Sequence, residues 1–273
     1  MQALKKAGIK LMVFDLDDTL LNNNISISQR TQQAIRQAMN QGIKVTLATG
    51  RMYCSTILFA RKLELKMPLI TYNGAMINDY PSGKVLFHSP INPQAATQVL
   101  QLCQQRQWYI QSYINDELYV RELNKQAKLY AEITGAKPIP VGEQLYTMRG
   151  APTKMLAIAE PTKIRQMLEV FQSRLGKNTL SIAESKPNYL EITNPAVNKG
   201  IALKFIADRL HIDQREIMAV GNGHNDIPML SYAGFGVAVG NAPLTVKSAA
   251  RLVTGTNDDD GVADIIEKYI LSC

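Results

Sequence analysis

The 273 residues include 46% hydrophobic and 19% charged side chains, with a formal net charge of +7; this balance suits one large or two medium globular domains and argues against a disordered chain. The positive charge is scattered, with no run of five or more Lys or Arg, so it reads as solvated surface and gives no nucleic-acid footprint. Cys54, Cys103 and Cys273 are widely spaced without a C-x-x-C pair, which argues against a disulfide framework or thiolate zinc site and points to a reducing, cytoplasmic setting. No stretch approaches the ~18 apolar residues of a membrane span, and the apolar segment ending at Asp15 is too short for a signal sequence.

In chain order, residues 9–14 (Ile-Lys-Leu-Met-Val-Phe) predict a buried parallel strand running into acids. Ser28 predicts the N-cap of a helix carrying Thr31, Ile35 and Met39 on one face and stopping at Gly42. Residues 43–49 predict a second strand, 55–65 a helix, and 69–72 a third strand before Asn73-Gly74, which is βαβ grammar. After Tyr80 the pattern changes. Strands over 84–88, 108–114, 117–122, 155–159, 180–183 and 189–193 mix with helices over 93–105, 125–134 and 161–175, as in a separate α+β unit. From Lys199 the first grammar returns: a helix carrying Leu203, Ile206 and Leu210, a strand over 216–220, a helix after Asp226 and a strand over 236–239. The expected architecture is a Rossmann-like, doubly wound α/β core from residues 1–80 and 190–273, with an α+β cap domain inserted at 81–189.

Asp15 and Asp17 follow the first predicted strand at its carboxyl end, the edge where open α/β sheets bind ligands. Three acids within four residues (Asp15, Asp17, Asp18) repel one another, and a hard, oxygen-seeking cation such as Mg²⁺ resolves the repulsion. Two acids alone would read as a solvated turn; the strand before them and polar groups ending the other strands change that. Thr49-Gly50-Arg51 ends the second strand with a hydroxyl and backbone N–H groups that can face an anion. Lys199 sits at a predicted helix start, the wrong end of the macrodipole for a cation, a conflict that a bound phosphate would remove. Gly221-Asn222-Gly223-His224-Asn225-Asp226 again follows a strand; its Gly-x-Gly lacks the third glycine of a dinucleotide fingerprint.

Taken together, D-x-D-x-T at Asp15 to Thr19, T-G-R at Thr49 to Arg51, T-Y-N-G at Thr71 to Gly74, N-K-G around Lys199 and G-N-G-H-N-D at Gly221 to Asp226 resemble the haloacid dehalogenase-like phosphohydrolases. The order and spacing resemble the Cof-type branch, with its C2B-like α+β cap. The resemblance implies that Asp15 attacks phosphorus to give an aspartyl-phosphate, and that Asp17 protonates the leaving oxygen and later activates water. It places the phosphoryl group against the Leu16 amide, Thr49, Gly50, Lys199 and Asn225, with Arg51 as a further candidate contact. Mg²⁺ would be held by Asp15, the carbonyl of Asp17, Asn222 and Asp226, and the substrate would be a small phosphorylated metabolite. Two positions depart from the family pattern: Asp18, where many relatives carry Gly, and Asn222, where most carry a metal-binding Asp.

Two other readings use the same motifs. A phosphoryl transferase would pass the group to a sugar instead of water, and a phosphate-binding module would retain the pocket without turnover because of Asn222. His88, His211 and His224 lack the spacing of a zinc site, and Trp108, Tyr109 and Tyr113 read as strand packing. The acidic run Asp258 to Asp260 lacks calcium-loop spacing and reads as capping for a helix over 262–270.

Overall fold

The computed structural model describes residues 8–175 and 179–272. Its strands, in chain order, are β1 (Leu11–Phe14), β2 (Lys44–Leu47), β3 (Leu69–Thr71), β4 (Met76–Asn78), β5 (Val85–His88), β6 (Ile110–Ile114), β7 (Glu117–Val120), β8 (Pro138–Pro140), β9 (Lys154–Ile158), β10 (Ser181–Lys186), β11 (Tyr189–Thr193), β12 (Ile217–Gly221), β13 (Phe235–Ala238) and β14 (Leu252–Val253). They fall into two compact units. One comprises Thr56–Leu86 with the described parts of Met1–Gly50 and Asn198–Cys273; the other comprises Arg51–Ser55 and the described part of Phe87–Val197. The sequence expectation placed the boundaries at 80/81 and 189/190; here they fall at 86/87 and 197/198, and Arg51–Ser55 goes with the inserted unit.

The first unit is an α/β fold on a parallel sheet of order β14-β13-β12-β1-β2. All four residues of β1 are buried, as a strand covered on both faces requires. From β1 the chain crosses to β2 on one side; from β12 it moves through β13 to β14 on the other. With right-handed crossovers, opposite directions put the connecting helices on opposite faces, which makes the sheet doubly wound. The switch point therefore lies at the carboxyl end of β1. A β3–β4 antiparallel pair extends the unit, joined to the end of β2 through an Ala48–Ile70 bridge.

Helix boundaries follow local chemistry. Ser28 caps Gln29–Asn40 by accepting from the Thr31 amide at 3.0 Å, and Gly42, at φ 87°, lets the chain turn away. Helix Lys199–Leu210 is capped by Asn198, which accepts from the Ile201 amide, and packs against helix Ile227–Tyr232. Gly200 makes that packing possible: a Cβ there would lie 2.5 Å from the Pro228 carbonyl oxygen.

In the second unit, a six-stranded sheet of order β10-β11-β9-β6-β7-β8 is antiparallel except for the β7–β8 pair. Helices Pro93–Arg106 and Pro161–Arg174 share its core, where Trp108 meets Phe171 edge to face at 5.7 Å. Trp108 is thus core packing, although the strand starts only at Ile110, because Gln107 ends the preceding helix in a left-handed turn. Three short strands escape the sequence reading. β4 hides behind the Asn73-Gly74 turn signal, β8 is an edge strand with proline at both ends, and β14 has two residues. Among the described residues no helix is long and apolar enough to cross a membrane.

The Gly200 contact yields a test. Gly200→Ala, normally a favourable helix substitution, is expected to destabilise the protein by about 1–3 kcal/mol through overpacking against Pro228, read as a lowered urea midpoint at unchanged m-value.

Candidate active site

Asp15 lies one residue past β1 and continues the ladder, its amide donating to the Val220 carbonyl at 3.0 Å. Its carboxylate is 5% exposed, and Oδ1 accepts from Lys199 Nζ at 2.6 Å. The same ammonium donates to Asp226 Oδ1 at 2.5 Å, and Lys199 and Asp226 are fully buried. The charge at the helix start is thus answered by two carboxylates, where the sequence reading invoked a phosphate.

Asp226 is held from its other side as well: Oδ2 accepts from the amides of Asn222 at 2.9 Å and Gly223 at 2.8 Å. Gly221 is required here, because a Cβ would sit 2.6 Å from the Asp226 carboxyl carbon. Asp226 therefore works as a clamp between the loop after β12 and Lys199.

Two carboxylates share one ammonium, so Asp15 is short of positive charge. Burial, reinforced by the charge of Asp226 and opposed by Lys199, pushes its carboxyl from 3.8 up to about 7. Burial alone would lower the Lys199 value, but the charges of Asp15 and Asp226 prevail and hold it above the ordinary lysine range.

Other candidates reach the same sheet edge. Two residues past β2 lies Thr49, fully buried, whose amide donates to the Ile70 carbonyl at 2.9 Å. Its carbonyl accepts from the Asn73 amide at 2.9 Å, and Asn73 Oδ1 accepts from Asn225 Nδ2 at 2.9 Å. Asn73 thus joins the Thr49-Gly50 turn to the loop after β12, a role the sequence reading missed. The available signal was the Tyr72-Asn73-Gly74 bend, where three successive residues have positive φ. Thr19 was likewise given no role; its hydroxyl donates to Asn222 Oδ1 at 3.0 Å. Leu16 is buried and Asp17 half-exposed in the loop leaving β1. Arg51 is buried and groups with the inserted unit.

Among the described residues no three His, Cys, Asp or Glu side chains form a ready-made metal cage. The donors near the Asp15 cluster are nevertheless hard oxygens, the Asp15 and Asp226 carboxylates with only the Lys199 ammonium between them, which leaves net negative charge. That set fits Mg²⁺, which keeps several waters and takes few protein ligands. His224 points elsewhere, Nε2 lying 2.8 Å from Thr245 Oγ1. Asp260 is the N-cap of helix Gly261–Ile266 but makes no side-chain cap. The acidic run instead serves the loop after β1, Asp258 Oδ1 accepting from the Asn23 amide at 2.9 Å.

A switch-point carboxylate pinned by a buried lysine defines the class. The family model for haloacid dehalogenase-like hydrolases matches residues 12–266, and the chain belongs to that family. It is an enzyme of the phosphoric monoester hydrolase kind, with the Cof-type arrangement of an α/β core and an inserted α+β unit. Phosphatase YwpJ of Bacillus subtilis is 30% identical over 96% of this chain and 100% of its own length. The 5-amino-6-(5-phospho-D-ribitylamino)uracil phosphatase YcsE of the same organism is 31% identical over 96% of each chain. The solved subclass IIB sugar phosphatase BT4131 superposes with a TM-score of 0.82 at 25% identity, covering 95% of this chain and 98% of its own.

The buried triad predicts a specific stability defect. Lys199→Met leaves two buried carboxylates unpaired and is expected to cost about 3–5 kcal/mol at neutral pH in urea unfolding. The folded Asp15 holds its proton to about pH 7 and the unfolded chain only to 3.8. Its contribution is therefore complete below the lower value and lost as pH rises through the upper one. Removing Lys199 raises the folded value further, so the deficit against the parent protein should narrow as pH falls from about 8 to about 5.

Proposed function

We propose that the protein is a magnesium-dependent phosphatase that hydrolyses small phosphomonoesters, sugar phosphates or related metabolites, through an aspartyl-phosphate on Asp15. The observation that carries the reading is the Asp15 carboxylate, buried at the sheet's switch point and fixed through Oδ1 by Lys199. With Oδ1 so engaged, Oδ2 attacks phosphorus, and the bond from phosphorus to the substrate oxygen breaks as Asp17 gives that oxygen its proton. Asp17 then takes a proton from water, whose oxygen attacks phosphorus, and the bond to Asp15 breaks to release inorganic phosphate.

Lysine has three N–H donors; two serve Asp15 and Asp226, and the third is assigned to a phosphoryl oxygen. The Leu16 amide, Thr49, Gly50 and Asn225 complete the cradle, in which fixed dipoles stabilise the charge that develops in the transition state. The Asp15 carboxylate, the Asp17 carbonyl and Asn222 would hold Mg²⁺, which would supply the positive charge that lets an anionic nucleophile approach an anionic substrate. Asp226, occupied by three protein donors, supports this set from behind. The substrate class is supported by the relatives, one named for a phosphoribityl compound and one as a sugar phosphatase. Such substrates fit a cytoplasmic setting.

Asp15→Asn should abolish phosphate release from a panel of sugar phosphates and aryl phosphates, and chelation of the metal should do the same to the parent protein, reversibly on adding Mg²⁺. Hydrolysis surviving in Asp15→Asn would exclude this nucleophile. Asn222→Asp adds a carboxylate and is expected to tighten Mg²⁺ binding roughly tenfold by calorimetry, while lowering the melting temperature of the metal-free protein by added repulsion.

A further inference from the structure

We propose that Asn241 is a positioning residue for the general acid, holding the backbone that carries Asp17 through the carbonyl of Asp18; the inference rests on the role given to Asp17 above. Asp18 adopts φ 55° and ψ 16°, a left-handed conformation that is uncommon for a residue with a side chain, though less so for aspartate. A side-chain amide holds its carbonyl. Asn241 Nδ2 donates to the Asp18 carbonyl at 2.8 Å.

The other end of that amide is equally determined. Asn241 Oδ1 accepts from the Asn257 backbone amide at 3.1 Å. One partner can only donate and the other can only accept, so the nitrogen and oxygen of Asn241 have a single consistent orientation. The turn presenting Asn241 is itself anchored, Gly240 donating to the Gly255 carbonyl at 2.8 Å and Ala242 to that of Val239 at 3.0 Å. Asn257 continues the bracket, its Nδ2 donating to the Leu21 carbonyl at 2.9 Å. The loop is thus held on both sides of Thr19, whose hydroxyl reaches Asn222. Asn241 touches no reacting atom in the proposed chemistry; it sets the direction from which Asp17 reaches the leaving oxygen.

This role has a signature that a general loss of structure lacks. A departing alkoxide needs its proton, whereas p-nitrophenolate leaves as a stable anion, so a displaced acid harms the first substrate far more than the second. The value of kcat/KM reports steps up to departure of the alcohol. The experiment compares kcat/KM for a sugar phosphate and for p-nitrophenyl phosphate, with Mg²⁺, in Asn241→Ala, Asn241→Asp and Asp17→Asn. Asn241→Asp keeps the shape and turns an oxygen toward the Asp18 carbonyl. Both Asn241 variants are expected to lose at least ~10-fold on the sugar phosphate and no more than ~3-fold on the aryl phosphate, the same bias as Asp17→Asn in weaker form. The ratio of the two substrates in one preparation is independent of the fraction folded, so partial misfolding does not mimic the result. Equal losses on both substrates in the Asn241 variants, beside a biased loss in Asp17→Asn, overturn the inference. Equal losses in Asp17→Asn itself overturn the acid assignment beneath it.

Discussion

The rest of the core unit is arranged around one buried ammonium, that of Lys199. It is fully enclosed and hydrogen-bonded to carboxylates from two different loops. A lysine cannot be buried without such partners, and a carboxylate beside a sheet core cannot remain charged without such a cation. The interaction thus makes each loop a condition for the other. Burial, together with the charge of Asp226, raises the pKa of Asp15 despite that ammonium.

Backbone devices carry the geometry from this centre outward. Gly200 lets helix Lys199–Leu210 sit directly on Pro228, and Gly221 leaves room for the Asp226 carboxylate. Asn73 ties the Thr49 turn to Asn225, while Asn241 and Asn257 tie the loop after β1 to the loops after β13 and β14. Asparagine suits the Asn241 position because one amide both donates and accepts, so a neutral side chain bridges two backbones without adding charge near the acids.

Much of this was legible in the sequence for a definite reason. Buried parallel strands are continuous apolar runs, so β1, β2 and β12 announce themselves, and the polar residues at their ends mark the sheet edge that gathers Asp15, Thr49, Asn222 and Asp226. Ser28 and Gly42 were readable because caps obey local chemistry. The ion pairing of Lys199 was not readable, because nothing in a linear pattern says that residues 184 positions apart share a proton-donating contact. Nor were Asn241 and Asn257, whose meaning lies wholly in the carbonyls they meet. Arg51, adjacent in sequence to Gly50, groups by backbone contacts with the other unit.

The placement of β1 between β2 and β12 also governs when the protein can become an enzyme. During synthesis, β1 emerges early but lacks one lateral neighbour until residues 217–221 have been made, and Asp15 lacks its cation until Lys199 has appeared. The inserted unit lies between these in the chain and has a hydrophobic core of its own. A ribosome-bound chain can therefore complete that unit while the surroundings of Asp15 are still unformed. The contacts around Asp15 are therefore completed late, once Lys199 and the strand over 217–221 have been made.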